Sequence, residues 1–217
     1  TENVEEAKIK LDIVLQEVIE NTFCTDYIIA IGGLNNWREE FFKEYKRSAS
    51  RLASKKNRAE YFDELKEWFC NHPNAVVAHG FEADDLIRIW AVEATRDNDP
   101  FVVCTIDKDL DCIPGKHFKP GKDEHYEVDE ESADIHYWKQ ILMGDAVDNI
   151  PGLPKIGPVK ALKILEGCNN NNKRKAAVIN AYKQQYGDQW KPYLLANGRL
   201  IHIWRYINDH FQIKEEG

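Results

Sequence analysis

The chain has 217 residues, 43% of them hydrophobic, enough to bury a core as one domain or as one domain with an appendage. It holds no apolar run of 18 residues and no signal-peptide layout, which argues against a membrane span or a secretory start and points to the cytoplasm. A formal net charge of −8 speaks against a nucleic-acid partner only until its distribution is considered.

Residues 3–21 place Val4, Ala7, Leu11, Val14 and Val18 at the three- and four-residue spacing of an amphipathic helix. "DYIIAIGG" (26–33) reads as a buried strand ending in glycines. "NWREEFFKEYKRSASRLASKKNR" then reads as a helix running into a basic, Ser/Ala-rich segment. A helix over 59–72, a short strand over 74–80 and a helix over 82–96 follow, the last with acids at its N-terminus, where the macrodipole favours them. "PFVVCTID" (100–107) is a continuous apolar strand of the kind covered on both faces. This alternation predicts an α/β body over 1–133 with a parallel sheet, and beyond about residue 134 a mainly helical region to 217. The chain opens on Thr1 directly in a helix, and one more strand ahead of it would make the sheet more complete, so a segment upstream of Thr1 is expected. The five cysteines (Cys24, Cys70, Cys104, Cys112, Cys168) are scattered and never spaced C-x-x-C, which suits reduced thiols and argues against structural zinc.

Three acidic groups carry the chemistry. "FEADD" supplies Glu82, Asp84 and Asp85 at a strand-to-helix junction. "TIDKDLD" supplies Asp107, Asp109 and Asp111 where an apolar strand ends. "GDAVD" supplies Asp145 and Asp148. Sites in open α/β sheets gather at the C-terminal ends of strands. One like-charge pair at about 4 Å costs roughly 4 kcal/mol at an effective dielectric near 20, so converging carboxylates call for hard divalent cations. All-oxygen ligation suits Mg²⁺ or Mn²⁺, and two such ions can activate water and stabilise the leaving oxygen at a phosphate. Taken singly, Asp84 or Asp85 reads first as a helix cap, Asp111 as a turn residue, and Asp123–Glu131 as a solvated loop.

"IPGLPKIGPVKALKIL" (150–165) has the pattern of a helix–hairpin–helix, an element expected over 150–166. Gly152 and Gly157 permit a tight turn, Pro158 suits the first helical turn, and backbone N–H groups with Lys155 and Lys160 are placed to hold a phosphate. The alternative is an ordinary Pro/Gly loop. Residues 38–58 carry eight basic side chains, among them Arg38, Lys46, Arg47, Arg51, Lys55 and Lys56, against three acids. This is either a solvated helical face or, beside a phosphodiesterase site, a basic arch over the nucleic-acid backbone. Trp37, Phe41, Phe42 and Tyr45 can stack on an exposed base or pack into a core.

Together these segments resemble the flap endonuclease/5′–3′ exonuclease superfamily. "EADD", "DKD" and "MGDAVDNIPGLPKIGPVKA" are similar, in order, to its second to fourth acidic motifs and its helix–hairpin–helix. "NWREEFFKEYK" is similar to its Arg/Lys-bearing helix, while "EESAD" and "RLIHIW" look most like exonucleases of short-tailed bacteriophages. The resemblance runs from about residue 26 to 166 and more weakly to 205. It implies a PIN/flap-nuclease-like parallel-sheet body with a helical arch. Glu82, Asp84, Asp85 and Asp107 would hold a first Mg²⁺ or Mn²⁺, and Asp109, Asp145 and Asp148 a second or its water shell. Arg38 and Lys46 would steer the scissile phosphate. Backbone oxygens of Leu142, Met143, Pro151, Leu153 and Ile156 would bind K⁺. The implied partner is double-stranded DNA with 5′ ends or flaps, or an RNA–DNA hybrid, cut by a monomer in the cytoplasm (the host's, for a phage protein). A non-catalytic DNA-binding protein of the same fold is the alternative. Two departures stand out: nothing before Asp26 supplies the family's first-strand Asp, and Gly32 and Gly33 stand where many members place another.

Overall fold

The computed structural model describes residues 3–213; Thr1, Glu2 and residues 214–217, at the outer ends of the two expected regions, lie outside it. Helix α1 (Val4–Thr22) begins where the Asn3 side chain accepts the Glu6 N–H at 2.9 Å and ends at Phe23 in the left-handed conformation. Of its expected apolar stripe only Ala7 is buried. Strand β1 (Ile29–Gly32) pairs in parallel with β2 (Ala75–Ala78), Ile29 opposite Ala75. A Cβ on Gly33 would lie 1.9 Å from the Ala78 carbonyl oxygen, so no side chain fits there, whereas position 32 faces open space.

Between these strands lie α2 (Trp37–Phe41), α3 (Ala49–Lys56) and α4 (Phe62–Cys70). The single helix expected from residue 36 onward is instead broken. Phe42 is extended and Lys46 sits at φ 54°, the left-handed region. The break lets Tyr45 turn inward, 3% exposed, into the helical core while the Lys46 N–H donates to the Asp148 carbonyl at 2.9 Å. A continuous helix cannot do both. Long-range burial outweighs helix propensity here.

After α5 (Ala83–Asp97) comes β3 (Val102–Cys104), parallel to β4 (Gly115–Lys119), which pairs antiparallel with β5 (Glu124–Val128). The described strands therefore form two small sheets, β1–β2 and β3–β4–β5, rather than the one parallel sheet expected. Residues 124–128, expected in a solvated loop, are an edge strand. Gly121 and Asp123 take the positive φ that turns the hairpin, Tyr126 donates to Asp111 at 2.8 Å, and Val128 is buried.

The larger core lies among α6 (Glu130–Met143), α7 (Pro158–Leu165), α8 (Asn171–Tyr186) and α9 (Trp190–Ile201), where Trp138, Ile141, Leu142, Val178, Tyr182 and Leu194 pack together. The buried Tyr182 hydroxyl donates to the Ile141 carbonyl at 2.7 Å and accepts from Asn197 at 2.8 Å, so this hydroxyl is satisfied. A second cluster (Ala91, Val103, Leu110, Cys112, Ile113, Ile203) seats α5 on β3. No helix among the described residues is long and apolar enough to cross a membrane.

The turn linking α6 to α7 is built on backbone contact. Gly144 (φ 69°) and Gly152 (φ 61°) face each other, and a Cβ on Gly152 would lie 2.1 Å from the Met143 carbonyl carbon. Gly157, expected as the second turn glycine, has φ −107° and open space around it, so its conformation is open to other residues; the left-handed positions of the turn are Gly144, Asn149, Gly152 and Lys155. Gly152→Ala is accordingly expected to lower stability by more than the ~1–2 kcal/mol of left-handed strain alone, because a backbone clash adds to it. Gly157→Ala, at an N-cap, should cost about 1 kcal/mol or less. Urea unfolding of the two variants checks this, and equal losses would contradict it.

Candidate active site

Three chain segments bring carboxylates to one small cavity. Glu82 is the N-cap of α5 and Asp84 lies in its first turn; Asp109 lies in the 3₁₀ turn Lys108–Cys112 after β3; Asp145 and Asp148 lie in the turn after α6. Tyr45, Gln140, Ile150, Leu200, Ile201 and Ile203 complete the lining. The apolar residues on one side deny the carboxylates water. Burial first, and the Glu82 charge second, push the Asp84 carboxyl up to about 7. Burial and then Asp107 push Asp109 up to about 6. Asp148 is also raised by burial, against the pull of Lys46 and Arg51. Such shifts mark negative charge that lacks compensation.

Beside these acids run the segment between α2 and α3, of which Tyr45 lines the cavity, and the start of α3. The Lys46 ammonium pairs with Glu82 and lies 3.8 Å from Asp148 Oδ2, Arg51 Nε donates to Asp148 Oδ1 at 2.6 Å, and the Tyr45 hydroxyl donates to Glu82 at 2.9 Å. Ser48 Oγ donates to the Val147 carbonyl at 2.5 Å, and Asn149 Nδ2 to the Glu44 carbonyl at 2.9 Å. Residues 44–48 are thus fastened to the acidic turn. Arg47, Lys55 and Lys56 project into solvent away from the cavity lining.

Two expected site residues take different places. Asp85, expected as a metal ligand, is fully buried and accepts four hydrogen bonds: two from Arg38 at 2.7 and 2.8 Å, one from the Glu82 N–H at 3.0 Å and one from the Trp204 N–H at 2.8 Å. Its oxygens are taken up by these bonds, which link it to the Glu82 backbone and to the C-terminal segment. Arg38, expected to steer phosphate, is 1% exposed and held by Asp85 and the His202 carbonyl; it touches the cavity from behind. Asp107 is exposed at the rim, its Oδ1 accepting the Asp109 N–H at 3.0 Å. Tyr45 and Trp37 are packed against protein, Trp37 stacked on Trp204 at 5.5 Å, so neither is presented to a base.

The donor set suits a hard divalent cation: carboxylate oxygens from separate elements, under-compensated charge, and two tethered cations drawn to it. As the side chains stand, no three of the described His, Cys, Asp or Glu side chains are grouped closely enough to hold an ion. Glu82 and Asp148 would first have to turn from Lys46 and Arg51. In the α6–α7 turn, the Leu142 carbonyl accepts the Leu153 N–H at 2.8 Å and the Leu153 carbonyl accepts the Ile156 N–H at 3.3 Å, each keeping a second lone pair. Pro151, Lys155 and Lys160 are exposed there, and Lys160 Nζ donates to the Lys155 carbonyl at 3.0 Å.

Sequence reasoning missed Gln140, which donates to Asp109 at 2.7 Å, and the 200–204 segment. Gln140 stands one helical turn before "MGD", a signal that was available. Leu200, Ile201 and Ile203 reach the cavity only through tertiary packing.

No protein-family model matches the chain. It is 33% identical over 103 residues to a DNA polymerase I of Rhizobium leguminosarum, covering 42% of this chain and 10% of that protein. It is 27% identical over 210 residues to a 5′-3′ exonuclease of Buchnera aphidicola, covering 91% of this chain and 70% of that one. In fold it is similar to the T5 D15 protein co-crystallised with metal ions (TM-score 0.60, 17% identity, 86% of this chain and 84% of that chain). It also matches the bacteriophage T5 D15 flap endonuclease in complex with DNA and metal ions (TM-score 0.55, 16% identity, 86% and 88%).

Proposed function

We propose that the chain is a member of the flap endonuclease/5′–3′ exonuclease superfamily and a divalent-metal-dependent 5′–3′ nuclease that hydrolyses phosphodiester bonds near 5′ ends or flaps of duplex DNA or RNA–DNA primers and releases 5′-phosphates. The observation that carries this is the gathering of Glu82, Asp84, Asp109, Asp145 and Asp148 on one cavity walled by a basic arch. Glu82, Asp84 and Asp107 are assigned to a first Mg²⁺ or Mn²⁺, and Asp109, Asp145 and Asp148 to a second or its water shell. Such ions supply an activated water and neutralise charge on the leaving oxygen. Lys46 and Arg51 stand where they can receive the phosphate beside that cut. Gln140 orients Asp109, and the Arg38–Asp85 pair orients Glu82. Leu200, Ile201 and Ile203 exclude water from behind, which strengthens every charge interaction in front of them.

The α6–α7 turn with α7 is assigned as the helix–hairpin–helix. Its exposed Lys155 and Lys160, and the open approach at Gly157, suit a phosphate backbone held without base reading, with K⁺ on the Leu142, Met143, Pro151, Leu153 and Ile156 carbonyls as bridge. Arg47, Lys55 and Lys56 extend the basic track along α3 as a DNA-contacting arch. We assign the protein to the cytoplasm, acting as a monomer. The test is cleavage of 5′-labelled duplex and flap DNA with Mg²⁺ or Mn²⁺ against EDTA. Metal-dependent release of short 5′-phosphorylated products is expected. DNA binding without cleavage at saturating Mg²⁺ and Mn²⁺ would favour the non-catalytic alternative.

A further inference from the structure

The arch side chains nearest the acids do more than face them. Lys46 pairs with Glu82 and approaches Asp148, and Arg51 pairs with Asp148, so part of the charge of these two carboxylates is compensated from within the chain. The backbone beneath these cations is bonded to the acidic turn. The Lys46 N–H donates to the Asp148 carbonyl, Ser48 Oγ donates to the Val147 carbonyl, and Tyr45 is buried in the helical core. Lys46 itself holds φ 54°, a conformation that an L-residue adopts at a cost and that turns its side chain back over Glu82. The arch cations are therefore tethered at short range, with only their side chains left to move.

Resting on the metal reading above, we propose that Lys46 and Arg51 are exchangeable internal counter-cations: they hold Glu82 and Asp148 until divalent ions claim these carboxylates, and the exchange hands both side chains to the substrate phosphate. One carboxylate cannot satisfy a tethered ammonium and an inner-sphere divalent ion at full strength, so the tethers lower metal affinity. Because coupling between ligands is reciprocal, the same exchange raises affinity for a phosphate backbone when metal is bound. Lys55, one turn beyond Arg51 and exposed, carries the same charge without the contact and so separates tethering from net field.

The test is Mn²⁺ binding without DNA, followed by calorimetry and by the electron paramagnetic resonance of free Mn²⁺, on the full chain and on Lys46→Met, Arg51→Gln, the double variant and Lys55→Met. The double variant is expected to bind Mn²⁺ at least about fivefold more tightly than the parent, with each single variant intermediate and Lys55→Met within twofold of the parent. Arg51 is partly exposed and outside the core, so its variant keeps the test available if the Lys46 change disturbs folding. Unchanged or weaker Mn²⁺ binding in the arch variants would overturn the exchange while leaving the metal site standing. An equal gain in Lys55→Met would assign the effect to net charge and also overturn it. No Mn²⁺ uptake by any of the proteins, the parent included, would remove the metal reading and this inference together.

Discussion

Asp145→Asn is expected to lower the rate of phosphodiester cleavage at least about a hundredfold, ~2.7 kcal/mol of barrier, while duplex binding survives. The substitution is close to isosteric. Asp145 Oδ1 accepts the Val147 N–H at 2.7 Å, an acceptor that an amide oxygen retains, and the Asp145 N–H and carbonyl both pair with Ile150. The turn that carries the hairpin therefore keeps its shape, and only the charge facing the cavity is lost. Single-turnover cleavage with Mg²⁺, read beside fluorescence anisotropy of labelled duplex in Ca²⁺, separates the two effects. A variant that cleaves at the parental rate, or one that loses DNA binding while its bound fraction still cleaves, would refute the assigned role of Asp145.

The second large effect concerns stability. Arg38 and Asp85, 1% and 0% exposed, form a two-bond pair that also holds the His202 carbonyl and the Trp204 N–H. Burial works against the Arg38 charge, and the bonds and charge of Asp85 outweigh it, holding the guanidinium protonated. Arg38→Met strands a buried carboxylate and is expected to cost about 3–5 kcal/mol, a fall in Tm of roughly 6–20 °C for a chain of this size. Adding Asp85→Asn removes the stranded charge and should restore at least about 1 kcal/mol, because it is the unpaired ion that is penalised. Thermal and denaturant unfolding of the two variants tests this. A loss below about 1 kcal/mol for Arg38→Met, or a double variant less stable than the single one, would show that the pair does not brace the site.

The residues of the candidate site were legible because three groups of acids stand beside apolar strand ends, helix starts and a Pro/Gly turn, each within a few residues of sequence. Glu82, Asp84, Asp109, Asp145 and Asp148 could be named from spacing, and they line one cavity. The division of labour inside "EADD" was not legible. Asp84 and Asp85 are adjacent and chemically identical, and only the inward face of α5, closed by Arg38 and by a segment 119 residues away in sequence, decides that Asp85 is saturated. The same holds for Arg38 and Lys46, both basic and both near the acids, one buried behind the cavity and the other beside it.

The fold divides likewise. Local preference placed the strands near 29–32, 75–78 and 102–104, α5 with its acidic N-terminus and α7 with Pro158 in its first turn, because capping, apolar runs and turn chemistry act within a few residues. The break after α2 at Phe42, the β4–β5 hairpin and the splitting of the sheet are tertiary outcomes. By itself the sequence determined which chemical groups the protein has and roughly which turn carries each. The tertiary structure decided which of those groups meet the cavity and which are spent holding it in place. That choice depends on burial and on charge pairing between residues far apart in the chain, where the free energy of one desolvated ion outweighs any local propensity.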